Sequence, residues 1–287
     1  MKSVRGKNVL ITGAAMGMGR LFAERAIAEE AARVVLWDLQ EDRLNQTLAE
    51  LDGPAAAHHV ALSGFVVDVS DIEDVRVSAE AVRADIGHVD VLINNAGVVR
   101  GNSYFWESDS TRDTKLTVDV NTLAPMYVAR EFLPAMVTSS QDCRVVNLAS
   151  AAGLTSNPRM AAYAGSKWAV VGWSDSVRIE LEQAGHKHVK VTTVCPYYIK
   201  TGMFDGAKSA PLLPLLEPKD VVNDTWKAML SGDAMLMLPR TVMLSEMMKG
   251  FVPTGIRDFI AGNVLGIYHT MDEFKGRPVQ DKDKNPV

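Results

Sequence analysis

A tyrosine and a lysine four residues apart carry the clearest chemistry in this sequence. Tyr163 and Lys167 stand in a stretch with helical patterning, and residues four apart on a helix share one face. An ammonium beside a phenol favours the phenolate and draws the phenol pKa down from about 10. Such a phenol can take a proton from an alcohol or give one to a ketone. The four-residue pattern alone is common by chance, so its placement in the chain decides its meaning.

Two further polar positions complete a possible proton-handling group. Ser150 follows the strand-like run RVVNLA (144–149), at the edge of a parallel sheet where ligands bind. A hydroxyl there can hold the substrate oxygen as charge shifts on it. Asn121 is a poor helix former inside a long helical stretch, 110–138. At a break in that helix it can anchor a water that links Lys167 to solvent.

A glycine cluster near the N-terminus predicts a dinucleotide site. Gly13, Gly17 and Gly19 follow the apolar run NVLIT (8–12), and a helical pattern comes next. Glycines let the backbone turn tightly and approach a pyrophosphate, whose charge is held at the helix N-terminus. A structural turn would also explain glycines here, but the strand–loop–helix context favours binding.

An acidic residue after the second predicted strand favours NAD over NADP. Asp38 closes the run RVVLW (33–37), where a carboxylate accepts hydrogen bonds from the adenine ribose and repels a 2′-phosphate. The alternative is that Asp38 caps the helix beginning near Glu41. No arginine or lysine stands at Ala15, Met16 or Leu39, where a 2′-phosphate would need one.

Two more segments end at the same predicted sheet edge. Asp68 and Val69 follow the third strand-like run and can hold the edge of the adenine. Asn95, Ala96 and Gly97 follow the fourth run. These last residues form a turn, a cofactor contact, or both.

The elements that must position these residues alternate between strands and helices, which predicts a three-layer α/β fold with a doubly wound parallel sheet of about seven strands. Continuous apolar runs predict strands that are buried on both faces. The predicted strands are 8–12, 33–37, 64–68, 90–94, 144–149, 189–194 and 234–238. The predicted helices are 18–31, 41–51, 71–85, 110–138, 163–184 and 218–230.

Composition narrows the class of protein. The 287 residues are 47% hydrophobic and 23% charged, which fits one Rossmann-type domain over 1–287 with residues 200–275 as a substrate loop and C-terminal elaboration. Net charge is −5 and the basic residues are scattered, so we expect no nucleic-acid partner. Two cysteines give neither metal spacing nor a disulfide framework, so we expect no metal site and a reducing compartment. No targeting segment or membrane span is visible, which makes the cytoplasm the default location.

Together these motifs, in this order and spacing, resemble the short-chain dehydrogenase/reductase family over about residues 5–205. The resemblance implies hydride transfer between a substrate carbon and the nicotinamide of NAD, and a homodimer or homotetramer built partly on the long helices. It also implies that Lys167 grips the nicotinamide ribose. The implied proton relay consists of Asn121, Ser150, Tyr163 and Lys167. Beyond the positions already named, the implied cofactor contacts are Met18, Pro196, Ile199 and Thr201.

Several segments are similar to the retinol and hydroxysteroid dehydrogenases of the lipid-associated branch. They are LWDLQEDRL, NTLAPMYVAREFLPAM, CPYYIKTGMF, LLPLLEPKDVV and LGIYHTMDEF. Those proteins usually carry an N-terminal hydrophobic anchor, which this sequence lacks. The family usually has Pro-Gly after the sixth strand, whereas Tyr197 follows Pro196 here. The backbone near the nicotinamide is therefore expected to differ.

The resemblance and the apolar C-terminal region predict a lipophilic primary or secondary alcohol, or its aldehyde or ketone, as substrate. One apolar group follows the sixth strand: Met203, Phe204, Leu212, Leu213, Leu215 and Leu216. A later group can complete an adaptable wall: Met243, Met247, Met248 and Phe251. These side chains can instead form a subunit contact, or lie on lipid as part of the stretch 240–270. A catalytically silent dinucleotide-binding protein and a nucleotide-sugar epimerase are the remaining alternatives.

Overall fold

The computed structural model describes residues 1–210 and 213–276. Within that part of the chain, seven parallel strands form one sheet in the order β3-β2-β1-β4-β5-β6-β7. The strands are β1 (Asn8–Thr12), β2 (Arg33–Asp38), β3 (Ala61–Val66), β4 (Val91–Asn94), β5 (Cys143–Leu148), β6 (Val189–Pro196) and β7 (Met235–Leu238). The doubly wound parallel sheet predicted from the sequence is confirmed.

Helices cover both faces of this sheet. Their bounds are α1 (Gly17–Ala28), α2 (Glu41–Ala57), α3 (Ile72–Ile86), α4 (Leu116–Val118), α5 (Ala124–Thr138), α6 (Ala161–Gln183), α7 (Pro218–Ser231), α8 (Thr241–Met248) and α9 (Thr254–Phe259). Helices α1, α2 and α7 pack on one face, and α3, α5 and α6 pack on the other. Alternate residues of β1 point to opposite layers, with Val9 and Ile11 in one core and Leu10 in the other. Burial on both faces explains why the strands are apolar at successive positions.

The predicted third strand was misplaced by a few residues. The run 64–68 was assigned to it, but β3 begins at Ala61 and ends at Val66. This strand lies at the edge of the sheet and is only partly buried, so the apolar run is a poor guide to its limits. Asp68 therefore lies beyond the strand end, in the connection to α3. That helix begins after Asp71, whose carboxylate accepts hydrogen bonds from the Glu73 and Asp74 amides.

The long helical stretch 110–138 is irregular where the sequence placed a break. Wide π-helical turns at Ser110–Lys115 and Asp119–Leu123 flank α4, and regular helix resumes in α5. Asn121 lies in the second of these turns. Single π-helical turns inside helices often occur at functional sites, because they reposition a side chain without ending the helix.

The C-terminal region packs back onto the segment that follows β6. The Asp205 carbonyl oxygen accepts hydrogen bonds from the amides of Lys275, at 2.8 Å, and Gly276, at 3.1 Å. The Lys208 amide donates to the Thr270 carbonyl at 2.9 Å. These bonds tie residues 201–210 to residues 270–276, although more than sixty positions separate Asp205 from Gly276 in sequence. Across residues 1–210 and 213–276, no helix is both long and apolar enough to cross a membrane.

Candidate active site

The catalytic candidates meet at the carboxyl edge of the sheet, beyond the ends of β4, β5 and β6. Tyr163 lies in the first turn of α6, and its side chain is 4% exposed. Burial raises the pKa of Tyr163, and a hydrogen bond with Ser150 offsets part of that rise. Burial lowers the pKa of Lys167, one helical turn later, to about 8.

The sequence predicted that Lys167 would lower the pKa of the Tyr163 phenol, but burial raises this pKa. Lys167 Nζ lies 5.9 Å from the centre of the Tyr163 ring. It donates a hydrogen bond to the Leu148 carbonyl oxygen at 2.8 Å. Because this ammonium is bonded to the backbone and not to the phenol oxygen, desolvation dominates the pKa of Tyr163.

Ser150 lies where β5 gives way to a short 3₁₀ turn, Ala151–Gly153. Its Oγ accepts a hydrogen bond from the Ala152 amide at 3.1 Å and lies 3.5 Å from the Pro196 carbonyl oxygen. The backbone around this serine is therefore fixed by its own side chain. Its hydroxyl is buried beside Tyr163, in the position that the sequence predicted for a substrate-oxygen contact.

Asn121 uses its whole amide to hold neighbouring segments together. Oδ1 accepts from the Val98 amide at 2.8 Å, while Nδ2 donates to the Val98 carbonyl at 2.9 Å and to Ser166 Oγ at 3.1 Å. Asn121 and Lys167 approach each other across Gly97. A Cβ added at Gly97 would lie 3.3 Å from Asn121 Oδ1 and 3.6 Å from Lys167 Nζ.

The glycine loop forms a narrow cradle that side chains would fill. Gly13 has a φ of 63°, and a Cβ there would lie 2.9 Å from Ala96 Cα. A Cβ at Gly19 would lie 2.0 Å from the Gly13 carbonyl oxygen. At Gly13 the positive φ and the short contact both require glycine, and at Gly19 the short contact alone requires it.

The start of α1 fits an anionic ligand. Met16 precedes the helix without a side-chain cap, and no acidic residue stands in the first turn. The amide groups there keep their partial positive charge, which suits a pyrophosphate. Gly17 has a φ of 55°, and a Cβ there would lie 3.8 Å from the Thr201 side chain. The glycine loop and the segment after β6 therefore come together, while Met18 packs against the core.

Asp38 is shared between the glycine loop and the start of α2. Oδ2 accepts from the Ala15 amide at 2.9 Å, and Oδ1 accepts from the Gln40 amide at 3.0 Å. Gln40, not Asp38, is the residue that precedes α2, so the alternative role as that helix's N-cap is not the one observed. Each carboxylate oxygen has a further lone pair that can accept from a ribose hydroxyl. Leu39 is 60% exposed beside it.

The segment after β3 is held by its own acidic side chains. Asp68 Oδ1 accepts from the Ser70 amide at 2.9 Å and from Ser70 Oγ at 2.6 Å. The Asp68 amide donates to Asp74 Oδ2 at 2.7 Å. Val69 is buried in the core between them. The structure thus places a rigid turn where the sequence predicted a contact with the adenine edge.

The turn after β4 is joined to the end of β1 by polar contacts. Asn95 Nδ2 donates to the carbonyls of Thr12 and Gly13, each at 3.0 Å. Thr12 Oγ1 accepts from the amides of Asn95 and Ala96, each at 3.1 Å. Thr12 is a site residue that the sequence analysis quoted but did not interpret. The only signal for it was a polar residue between an apolar strand and the first glycine.

Hydrogen bonds between buried polar side chains continue below this edge, and the sequence did not predict these bonds. Asn94 Nδ2 donates to Asn147 Oδ1 at 2.8 Å, and Asn147 Nδ2 donates to Ser174 Oγ at 2.9 Å. These residues lie on β4, β5 and α6, so the chain joins the elements that carry the catalytic candidates. Each residue looks unremarkable in its own segment, because the pairing depends on contacts distant in sequence.

The segment that follows β6 borders the site. Pro196 ends that strand, and Ile199 is buried and forms a β-bridge with Leu216. The Thr201 amide donates to the Ile199 carbonyl at 2.8 Å. Tyr197, which replaces the usual glycine, is itself buried, and its ring centre lies 4.4 Å from that of Tyr198.

Phe204 packs against Tyr163 as part of an apolar wall. Its ring centre lies 6.0 Å from that of Tyr163 in an edge-on arrangement. It also contacts the rings of Tyr198, at 4.9 Å, and Phe274, at 6.5 Å. Leu213, Leu215 and Leu216 pack against the same apolar cluster.

The later methionine-rich stretch does not line this wall as predicted. The side chains of Met243 and Met247 are exposed, and that of Phe251 is 87% exposed. On helix α8 it is Val242 that packs into the apolar cluster around Tyr163, whereas Met243 and Met247 lie on the exposed side of the helix. Met203 is partly buried. Leu212 and the side chain of Met248 lie outside the described residues.

Comparisons with known proteins agree with this geometry. The family described as short chain dehydrogenase matches residues 7–211. Human epidermal retinol dehydrogenase 2 is 36% identical over 279 residues, which cover 95% of this chain and 86% of that protein. Human estradiol 17-beta-dehydrogenase 11 is 39% identical over 254 residues, covering 88% and 81%. A short-chain dehydrogenase/reductase from Burkholderia phymatum, solved in complex with NAD, has a TM-score of 0.76 and 28% identity, covering 87% and 95%.

Proposed function

The chain belongs to the short-chain dehydrogenase/reductase family and is an oxidoreductase of that family; from this premise we propose that it interconverts a lipophilic alcohol and its aldehyde or ketone with NAD. The observation that carries the proposal is the meeting of Ser150, Tyr163 and Lys167 beside the glycine loop. That arrangement places an acid–base next to a site for a dinucleotide.

The proposed chemistry assigns one task to each residue. Bound NAD would supply the hydride acceptor. Tyr163 takes the proton from the substrate hydroxyl during oxidation and returns it to the carbonyl oxygen during reduction. Ser150 donates a hydrogen bond to that same oxygen, which keeps it near the phenol. When Lys167 is protonated, its charge stabilises the phenolate form of Tyr163.

The proposed cofactor is NAD rather than NADP. Asp38 supports this choice, because its carboxylate can accept from the ribose hydroxyls and repels a 2′-phosphate. The uncapped start of α1 and the glycine cradle suit the pyrophosphate. The related Burkholderia phymatum structure, which carries NAD, supports the same assignment.

The proposed substrate class rests on two independent observations. Tyr163 belongs to an apolar cluster that also includes Phe204. Leu213, Leu215 and Leu216 pack against the same cluster. The relatives' names, retinol dehydrogenase and estradiol dehydrogenase, refer to bulky lipophilic alcohols. We place residues 200–275 in the same domain, as the elaboration that shapes this pocket, because 201–210 and 270–276 are hydrogen-bonded to each other.

We also propose a homo-oligomer, a dimer or a tetramer, that uses the outer faces of α5 and α6. A depression of about 310 Å³ lies between these helices. Its apolar lining includes Met126, Leu133, Trp173 and Val177. Such a surface suits a symmetric contact, in which the same patch of two subunits meets.

The direct test is turnover by the purified protein with NAD. The substrate panel contains a retinoid, a hydroxysteroid, an aryl alcohol, short secondary alcohols and a sugar polyol, and the readout is NADH formation. We expect NADH from the lipophilic alcohols and little from the polyol. Cofactor binding without turnover of any alcohol would favour the catalytically silent alternative.

A further inference from the structure

An arginine reaches the glycine loop from the first turns of α2. Arg43 Nη1 lies 3.3 Å from Met16 Sδ, and the arginine side chain is partly buried. Met16 immediately precedes α1, so the guanidinium lies beside the part of the loop that turns toward the cofactor. The sequence has no cation at positions 15, 16 and 39, where a 2′-phosphate would be expected to need one. The structure brings one to this place from position 43.

Arg43 and Asp38 contact adjacent residues of the loop, Met16 and Ala15. Asp38 Oδ2 accepts from the Ala15 amide at 2.9 Å, and Thr47 Oγ1, one turn beyond Arg43 on α2, donates to the Ala15 carbonyl at 2.8 Å. The Ala15–Met16 turn is thus held between the end of β2 and the start of α2. A carboxylate and a guanidinium therefore border the site that the proposed function gives to the adenine ribose.

The chemistry of these two groups toward a 2′-phosphate is opposite. A carboxylate repels the phosphate, whereas a guanidinium matches it with parallel N–H donors. The sulfur atom that Arg43 contacts is only a weak acceptor, so the guanidinium gives up little when it turns toward a phosphate.

We propose that Arg43 is a second determinant of cofactor choice, a ligand for the 2′-phosphate of NADP whose effect Asp38 opposes. This inference rests on the proposed function, because it assumes that the dinucleotide binds along the glycine loop. On this proposal, rejection of NADP depends on Asp38 alone, because Arg43 already provides an attractive contact for the 2′-phosphate.

The test measures binding, so that it does not depend on a known substrate. The ligands are 5′-AMP and 2′,5′-ADP, which differ only by the 2′-phosphate, and titration calorimetry gives their Kd values. Asp38→Asn removes the repelling charge but keeps an amide oxygen that can accept from Ala15. In this variant we expect 2′,5′-ADP to bind about 10- to 100-fold more tightly than to the wild type.

Arg43→Gln is then added to Asp38→Asn. We expect the affinity for 2′,5′-ADP to fall at least about tenfold, and that for 5′-AMP to stay within about twofold. Arg43→Lys should give an intermediate value, because an ammonium keeps the charge without the planar donor pair.

The matched control is Arg20→Gln, which removes the same charge from α1. Arg20 is already engaged, by Glu24 at 3.0 Å and by Glu50. This control should leave both affinities nearly unchanged. An equal loss in the Arg20 and Arg43 variants would overturn the proposal, since the effect would then be general charge. An equal loss of both nucleotides in the Arg43 variant would overturn it too.

A failure of the proposed function gives a different result. If wild-type protein bound neither 5′-AMP nor NAD, the dinucleotide site itself would be wrong, and the role of Arg43 would fall with it. If 5′-AMP binds well and only the 2′,5′-ADP response to Arg43→Gln is missing, the dinucleotide site stands and Arg43 is excluded.

Discussion

The cofactor side and the substrate side of the cleft are held by different kinds of contact. On the cofactor side, formed by the loops after β1, β2 and β4, polar side chains bind backbone groups. Thr12 and Asn95 together make four such hydrogen bonds between two adjacent strand ends. On the substrate side, formed by Tyr197, Tyr198 and residues 202–210, 213–216 and 270–276, the dominant contacts are between rings, centred on Phe204.

The difference indicates which side of the cleft can change its specificity by substitution. Hydrogen bonds require particular atoms at particular distances, so the cofactor side tolerates few substitutions. Apolar contacts depend mainly on volume, and volume-conserving exchanges are well tolerated. We therefore expect the substrate side to accept new side chains, and new substrates, while the sheet and the proposed catalytic residues stay in place.

The largest effect should come from the phenol that lies between the two sides. Tyr163→Phe removes the proton donor and keeps the ring that packs against Phe204. We expect turnover to fall roughly 10²–10⁴-fold, with NAD affinity nearly unchanged. Steady-state kinetics and NAD titration together measure this.

The matched control for that change is Tyr268→Phe. Its hydroxyl bonds Asp258 at 2.8 Å, in a region that the proposed chemistry does not use. Turnover should be close to that of the wild type. If the Tyr163 variant kept more than about a tenth of wild-type turnover, with chemistry rate-limiting, the assigned role would be wrong.

The next effect concerns stability, because Lys167 is buried for function. Burial lowers its pKa to about 8 from an ordinary value of 10.5, so its charged form destabilises the folded state. At about pH 7 we expect Lys167→Met to raise the free energy of unfolding by about 1–3 kcal/mol while abolishing most activity.

The sign of this effect can be checked through its pH dependence. Between pH 8 and 10.5 the folded protein releases the Lys167 proton while the unfolded chain retains it. The wild type therefore gains stability as pH rises, and its difference from Lys167→Met narrows. Urea unfolding at about pH 7 and about pH 10 measures both differences. Lys187→Met, at an exposed position, should neither raise the free energy of unfolding nor change its pH dependence. If the difference in unfolding free energy between wild type and Lys167→Met were the same at both pH values, the explanation would be contradicted.

The contrast between the two sides also explains what the sequence could predict. The glycine loop, Asp38 and the Tyr163–Lys167 spacing are local patterns, and each falls at the strand end or helix start that it indicated. The alternation of strand and helix predicted a doubly wound parallel sheet, but it did not predict the order of the strands.

Contacts between residues that are distant in sequence could not be predicted from local patterns. Phe204 meets Phe274 only because two loops distant in sequence pack together, and Arg43 meets Met16 across two elements. The pKa of Tyr163 was predicted in the wrong direction because burial and the Leu148 carbonyl were invisible in the sequence. The exposed Phe251 shows the same limit, since apolar composition does not say which face is covered.

A smaller effect tests the cofactor side. We expect wild-type kcat/KM with NAD to exceed that with NADP by about tenfold or more, because Asp38 repels the 2′-phosphate. Asp38→Asn should narrow this gap, mainly by improving NADP. Asp52→Asn, which removes an exposed carboxylate elsewhere on α2, is the control and should leave the ratio unchanged. Equal efficiency with both cofactors in the wild type would refute this assignment.

The smallest effect per step, and the sharpest test of the substrate side, is a homologous series of secondary alcohols. Each methylene buried against Phe204 and its neighbours should contribute about 0.8 kcal/mol, which is about fourfold in kcat/KM, until the pocket is filled. Phe204→Leu enlarges the pocket and should move that plateau to longer alcohols. Phe251→Leu changes an equally apolar but exposed residue and should leave it in place. If kcat/KM did not rise with chain length, or if Phe204→Leu and Phe251→Leu behaved alike, the ring cluster would serve packing alone. The division between a fixed cofactor side and an adaptable substrate side would then lose its functional meaning, because the apolar contacts would be as structural as the polar ones.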